Sequence, residues 1–225
     1  MTAGKVRQMD VIPAFAVPIC HTRLESCDRL NGELAELFLA RETKEFRNST
    51  PSHSPQAEMF ESRYDLFTWP EACIQELRKF MLESVFRVAM AASETPKEEF
   101  ARLRLSNHTW FHITRRSGFF VSHNHALASW SAVYCVKDGI DSAGTPCGGL
   151  LRLFDTRSGA DAFLDPANQR LRLPFVAGDL EMQLKPGQLV VFPSYLFHEV
   201  TPYHGPDTRI TVASNCWFTS VSSGS

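Results

Sequence analysis

The sequence has no excess of charge of either sign. Its Lys+Arg total of 23 stands against an Asp+Glu total of 25, a formal net charge of -2. A chain so balanced has no global basic surface for nucleic acid or an anionic bilayer, so neither is expected as a partner. No apolar run approaches the roughly 20 residues of a membrane-spanning helix. Residues Met1 to Val11 carry Lys5, Arg7 and Asp10 where a secretory signal has its apolar centre. Cys20, Cys27, Cys73, Cys135, Cys147 and Cys216 form no C-x-x-C pair and no spacing of a stapled secreted domain. Mostly apolar surroundings suit reduced, buried thiols, and a cytoplasmic location is expected. There is no internal repeat, and low complexity is confined to the Ser-rich tail, 220–225.

What is there is a chain of 225 residues, 44% hydrophobic, enough for one domain with a sizeable core. Residues 11–22 are apolar but broken by Pro13 and Pro18, which reads as an edge strand or an extended lead-in. Leu24, Leu30, Leu34, Leu37 and Phe38 recur at helical spacing up to about Arg41, with Glu33, Glu36 and Glu42 toward water. Residues 43–65 are rich in Ser, Thr and Pro, the chemistry of a loop, with His53 inside it; a lid or a mobile connector fits equally. A second helix is predicted from about Pro70 to Ala92, with Pro70 at its first position. Residues 1–97 therefore read as a helical support region.

After Pro96 the period changes to two. About eight short strands follow: from Leu103–Leu105 to Thr114, then Phe119–His123, Trp130–Val136, Leu150–Phe154, Leu171–Phe175, Leu180–Leu184, Leu189–Phe192 and Arg209–Phe218. Glycine- and proline-rich turns separate them. Such spacing indicates a sandwich or barrel over 98–219, in a mainly β (α+β) chain with its helices packed against the β core.

Within that half, Gly118-Phe119-Phe120-Val121-Ser122-His123-Asn124-His125 places two histidines two residues apart after an apolar run. On a strand both side chains point to one face. His198 follows a second buried run, Leu189 to Phe192. A close imidazole pair with a third from a distant strand is a way to build a transition-metal site on a β scaffold. Gly148-Gly149 opens the strand Leu150-Leu151-Arg152-Leu153-Phe154-Asp155, Pro186-Gly187 opens another, and Arg209-Ile210-Thr211 lies eleven residues past His198.

That order and spacing, from about Trp110 to Phe218, resembles the Fe(II)- and 2-oxoglutarate-dependent oxygenases, in particular the prolyl-hydroxylase-like branch with its bacterial members. The resemblance implies a double-stranded β-helix of jelly-roll type, with Fe(2+) at one open end, 2-oxoglutarate as cosubstrate and O2 as oxidant. It places the metal on His123 and His198. It places the far carboxylate of 2-oxoglutarate on Arg209, whose planar fork suits a bidentate contact, with Thr211 two residues on and Tyr134 nearby. Asp207 is the rival partner for Arg209. The remaining histidines, His21, His108, His112 and His204, read as hydrogen-bonded side chains. Trp110, Trp130 and Trp217 read as core or pocket wall.

One position departs from the family. Most members have H-x-D or H-x-E, where this chain has H-x-H. Three readings of the third ligand are open: His125, which alternation puts on the correct face; Asp155 swinging in as a carboxylate; or water beside His123 and His198. The expected activity is hydroxylation or a related oxidation of a small-molecule or peptide substrate; the oligomeric state is left open, with a homodimer as one option. The rivals are a three-histidine iron dioxygenase without 2-oxoglutarate, and an inactive metal-binding barrel.

Overall fold

The computed structural model describes residues 9–50, 58–140, 144 and 147–220. His53 and most of the Ser-rich tail lie outside the described residues. Ten strands form two antiparallel sheets: β1 (Cys20–Arg23), β2 (Met59–Glu61), β3 (Arg104–Thr114), β4 (Phe120–His123), β5 (Trp130–Lys137), β6 (Leu151–Leu153), β7 (Leu180–Met182), β8 (Gln188–Pro193), β9 (His198–Val200) and β10 (Arg209–Thr219). The larger sheet runs β1-β8-β5-β10-β3-β2 and the smaller β4-β9-β6-β7. The two face each other as a jelly roll.

The register of the larger sheet sorts every side chain to one of two faces. Val212 pairs Phe111 on one side and Tyr134 on the other; Thr211 pairs His112 and Cys135. Phe111, Ile113, Ala132, Tyr134, Leu189, Val191, Ile210 and Val212 share the outer face. Helices α1 (Asp28–Ala40) and α2 (Ala72–Ala91) cover it with Leu30, Leu34, Phe38, Ile74, Leu77, Met81 and Val85. Phe38 stacks on Phe111 at 4.2 Å between ring centroids. Each such side chain, fully buried, contributes about 1.5–3 kcal/mol. A smaller cluster of Cys135, Leu151, Leu153, Leu184, Val190, Phe192 and Leu196 packs between the sheets.

Four expectations need correction. The stretch 171–175 is not a strand: a 3-10 turn at Asn168–Arg170 leads into it, and Leu173 is 76% exposed. Pro174 lacks the donor a further ladder would need. The region 1–97 is not purely helical, because β1 and β2 add both edge strands of the larger sheet. β2 falls inside the presumed loop 43–65, where polar neighbours hide a run of three residues. Pro70 precedes α2 by two residues, since the helix starts at Ala72 after Glu71. Five of the six cysteines, all but Cys20, are buried. Among the described residues no helix is long and apolar enough to cross a membrane.

Candidate metal centre

The inner face of the larger sheet and the end of the smaller one enclose a cavity of about 170 Å³. β4 and β9 pair so that His123 lies directly opposite His198. His125 follows β4, and its backbone N–H donates to the Ser194 carbonyl at 2.9 Å, fixing the chain beyond the strand. The three imidazoles thus converge from two adjacent segments. One ligand nitrogen of each lies within 4.8 Å of the other two, and among the described residues no other group of three or more metal-ligating side chains forms. Small ring rotations bring such a set to the ~3–4 Å between donors on one first-row ion.

The ring hydrogen bonds fix which nitrogen faces the cavity. His123 Nδ1 lies 2.6 Å from the Val121 carbonyl and His198 Nδ1 lies 2.9 Å from the Leu196 carbonyl. A carbonyl only accepts, so each Nδ1 carries the proton and each Nε2 the lone pair. Backbone carbonyls holding the outer nitrogens are the usual support for imidazole ligands. The donor set therefore fits a divalent first-row ion. Asp155 takes no part. Its carboxylate accepts from Arg157 Nε at 3.0 Å and Nη2 at 2.7 Å, and from the Gly178 N–H at 3.1 Å. The Arg157 guanidinium holds its pKa down at about 2. Glu199 points outward, as alternation from His198 requires, and pairs with Arg152 at 2.6 Å.

Arg209 and Thr211 line the same cavity and are 2% and 3% exposed. Asp207, the rival partner, pairs instead with Lys137 at 2.6 Å. Arg209 has no ion pair among the described residues, and burial pulls its pKa downward. Gly149 packs against its stem: at φ +67° a Cβ there would lie 3.1 Å from Arg209 Cδ. Tyr203 completes this end, its hydroxyl placed 2.7 Å from the Gly139 carbonyl and 2.6 Å from that of Asp207. Neither Gly149 nor Tyr203 was singled out for this role; the Gly148-Gly149 doublet was the available signal.

Tyr134 is not in the cavity. It sits on the outer face beneath the helices, 0% exposed, and its hydroxyl donates to Asn31 Oδ1 at 2.8 Å. The cavity-facing neighbour is Val133. One residue of alternation separates the two. Conversely, His108, His112, Trp110, Tyr64 and Glu61 do line the cavity. His112 Nε2 lies 3.1 Å from Glu61 Oε2 and 2.9 Å from the Trp110 indole nitrogen. A neutral ring nitrogen can serve only one of these, the acceptor or the donor. Glu61 Oε1 also accepts from Asn48 Nδ2 at 2.6 Å and Tyr64 Oη at 3.1 Å. Burial raises the Glu61 pKa, but His112 and these other donors outweigh it and hold it below the ordinary value. An ionised Glu61 favours Nε2–H toward the carboxylate.

Residues 108–215 match the model of a family described as "Putative 2OG-Fe(II) oxygenase". That span, just under half of the chain, is similar to the 2OG-Fe(II) oxygenases. The matched span runs from the cavity-lining His108 to the cavity-lining Asn215 and includes all three clustered histidines. No curated protein matches by sequence. Among solved structures, a Pseudomonas putida prolyl-4-hydroxylase is 18% identical, with a TM-score of 0.59 over 91% of this chain and 93% of that one. A Trichoplax adhaerens prolyl hydroxylase, solved with a peptide fragment of hypoxia inducible factor, is 11% identical, with a TM-score of 0.58 over 89% and 83%. The non-heme alpha ketoglutarate dependent epimerase SnoN from nogalamycin biosynthesis is 13% identical, with a TM-score of 0.56 over 90% and 77%. At these identities the likeness shows the shared jelly-roll fold. The family depends on iron(II) and 2-oxoglutarate, and the three-histidine cluster fits that iron.

Proposed function

We propose that this oxygenase holds iron(II) on His123, His125 and His198, and 2-oxoglutarate between that centre and Arg209. It oxidises a C–H bond of a small-molecule or peptide substrate. The overall balance is substrate, O2 and 2-oxoglutarate giving hydroxylated (or otherwise oxidised) substrate, succinate and CO2. The observation that carries the reading is Arg209: a buried guanidinium without an ion pair, in one cavity with three converging imidazoles. A buried charge is costly unless something pairs with it, and a carboxylate is the ligand its fork matches. Thr211, on the same face, has a hydroxyl to donate to that carboxylate.

Iron, when bound, supplies the activation of O2; the chain supplies position. Val121 and Leu196 carbonyls orient two of the imidazoles. Gly149 and Tyr203 shape the pocket in which Arg209 sits. Phe192 and Val200 add apolar surface to the same cavity.

The three-imidazole set also favours a second reading, a three-histidine iron dioxygenase that uses no 2-oxoglutarate. Arg209 separates the two, because such an enzyme has no dicarboxylate to hold. Anaerobic calorimetry of 2-oxoglutarate against protein loaded with a redox-inert divalent metal is the test. Saturable binding supports the proposal. No affinity at millimolar cosubstrate overturns it and brings forward the second reading or an inactive barrel.

A further inference from the structure

Apart from five histidines, Glu61 and Arg209 are the only acidic or basic side chains lining the cavity among the described residues. The proposed function assigns Arg209 to the cosubstrate and leaves Glu61 without a role. Glu61 is 6% exposed, an uncommon place for a carboxylate, and it is held there by Asn48, Tyr64 and His112. An ionised carboxylate offers about four lone-pair positions. Asn48 and Tyr64 occupy two on Oε1, and His112 occupies one on Oε2. One position on Oε2 is left by that count, and Glu61 lines the cavity.

The surroundings are aromatic. Tyr64 lies 4.7 Å from Trp110 and 6.4 Å from His108 between ring centroids, and all three line the cavity. Tyr64 is 39% exposed and forms the outer edge of this wall. The π faces of Tyr and Trp carry a negative potential that attracts organic cations within about 6 Å. A carboxylate beside such faces is the chemistry of an ammonium or guanidinium receptor.

Resting on the oxygenase reading, we propose that the Glu61–Tyr64–Trp110 wall binds a cationic group of the primary substrate. The substrate class is then an amine- or guanidine-bearing molecule or a basic side chain of a peptide. Glu61 contacts the cation, Tyr64 and Trp110 cover it, and the C–H to be oxidised extends toward the histidines. His112 and Asn48 are positioning residues that hold the carboxylate in place.

The test uses full-length protein loaded with a redox-inert divalent metal and 2-oxoglutarate under anaerobic conditions. The probes are 4-hydroxybutyltrimethylammonium and its neutral isostere, 5,5-dimethylhexan-1-ol, in which carbon replaces the charged nitrogen. Binding is read by ligand-observed NMR and by quenching of tryptophan fluorescence. The cation should bind about tenfold tighter than the neutral probe. Glu61→Gln should remove most of that preference while leaving metal and 2-oxoglutarate affinity unchanged. Tyr64→Leu, at a partly exposed site, should weaken the cation several-fold and the neutral probe little; it serves if Glu61→Gln does not fold.

Equal binding of both probes, no detectable cation binding, or a preference indifferent to both substitutions overturns the proposal. So does a Glu61→Gln variant that loses metal while keeping its cation preference, which would make Glu61 a charge partner of the centre. Absence of 2-oxoglutarate binding with the cation preference intact would instead overturn the cosubstrate assignment and leave this site standing.

Discussion

Arg209→Met tests both the burden and the use of a buried charge. In the ligand-free protein Arg209 is 2% exposed with no ion pair. The one carboxylate acting on it is Asp138, whose own partner is Lys185 at 3.5 Å. Replacing buried ionic groups by apolar residues of similar volume is often stabilising, by about 1–4 kcal/mol. Methionine fills comparable space and leaves the Gly149 contact intact. The ligand-free variant should therefore be at least as stable as the wild type. A gain of about 1 kcal/mol corresponds to roughly 2–4 °C in Tm for a domain of this size.

Binding should move the other way. Removing one member of a buried charge pair costs about 3–5 kcal/mol, two to three orders of magnitude in 2-oxoglutarate affinity. At one hundred times Kd the cosubstrate adds about 2.7 kcal/mol to the wild type, or roughly 5–10 °C. The variant should gain almost nothing at that concentration. Thermal denaturation with a redox-inert metal, with and without 2-oxoglutarate, should thus show a crossover: the variant melts above or level with the wild type alone and below it with cosubstrate. Arg209→Lys should recover only part of the shift, keeping charge but losing the fork. A ligand-free variant several degrees less stable, with an undiminished 2-oxoglutarate shift, would refute both halves of the reasoning.

Three further outcomes are expected. His198→Ala should lose stoichiometric iron(II) by metal analysis of folded protein, and His125→Ala should weaken titrated affinity; unchanged affinity in the latter would remove His125 from the ligand set. Tyr134→Phe should cost about 1 kcal/mol in denaturant unfolding, through Asn31 Oδ1 losing its donor, while calorimetric 2-oxoglutarate affinity stays the same. Asp155, held at about 2 by Arg157 against an ordinary value of 3.8, contributes fully above about pH 4 and loses its clamp as pH falls toward 2; the protection of the Gly178 amide, its exchange rate relative to that of an unstructured amide at the same pH, should fall across that window and stay level between pH 5 and 7.

Strand positions were legible wherever a long run of alternation passed through the core. β3, β5, β8 and β10 were each placed to within a few residues, because both faces of the larger sheet are buried and their apolar residues leave a dense signal. Of the three-residue strands, β6 and β7 lay within predicted runs, but β2 and β9 did not. β2 is three residues in a polar stretch and β9 is three residues after a turn, too short for a period to show. The site followed the same division. His123, His125 and His198 are named by spacing, and Arg209 and Thr211 by position on the last strand. Tyr134 failed on phase alone: alternation along β5 was visible, but which set faced the cavity depends on register with β10, a long-range pairing. Glu61 was missed for the same reason. It reaches the cavity only because β2 pairs β3 with Glu61 opposite His112, and nothing local to Met59-Phe60-Glu61 announces that partner.

That register also decides whether one cavity can hold an anion and a cation. Thr211, His112 and Glu61 form one row across β10, β3 and β2, and Arg209 begins the next row along β10. Two strand spacings across and two residues along separate Arg209 from Glu61 by roughly 12 Å. At an effective dielectric near 20, unit charges at that distance interact by only about 1.4 kcal/mol. The two poles are therefore close to independent. On the proposed reading the cavity therefore has an anion-binding end at Arg209, a metal centre at the three histidines and a cation-binding end at Glu61, and each end holds its ligand by its own contacts.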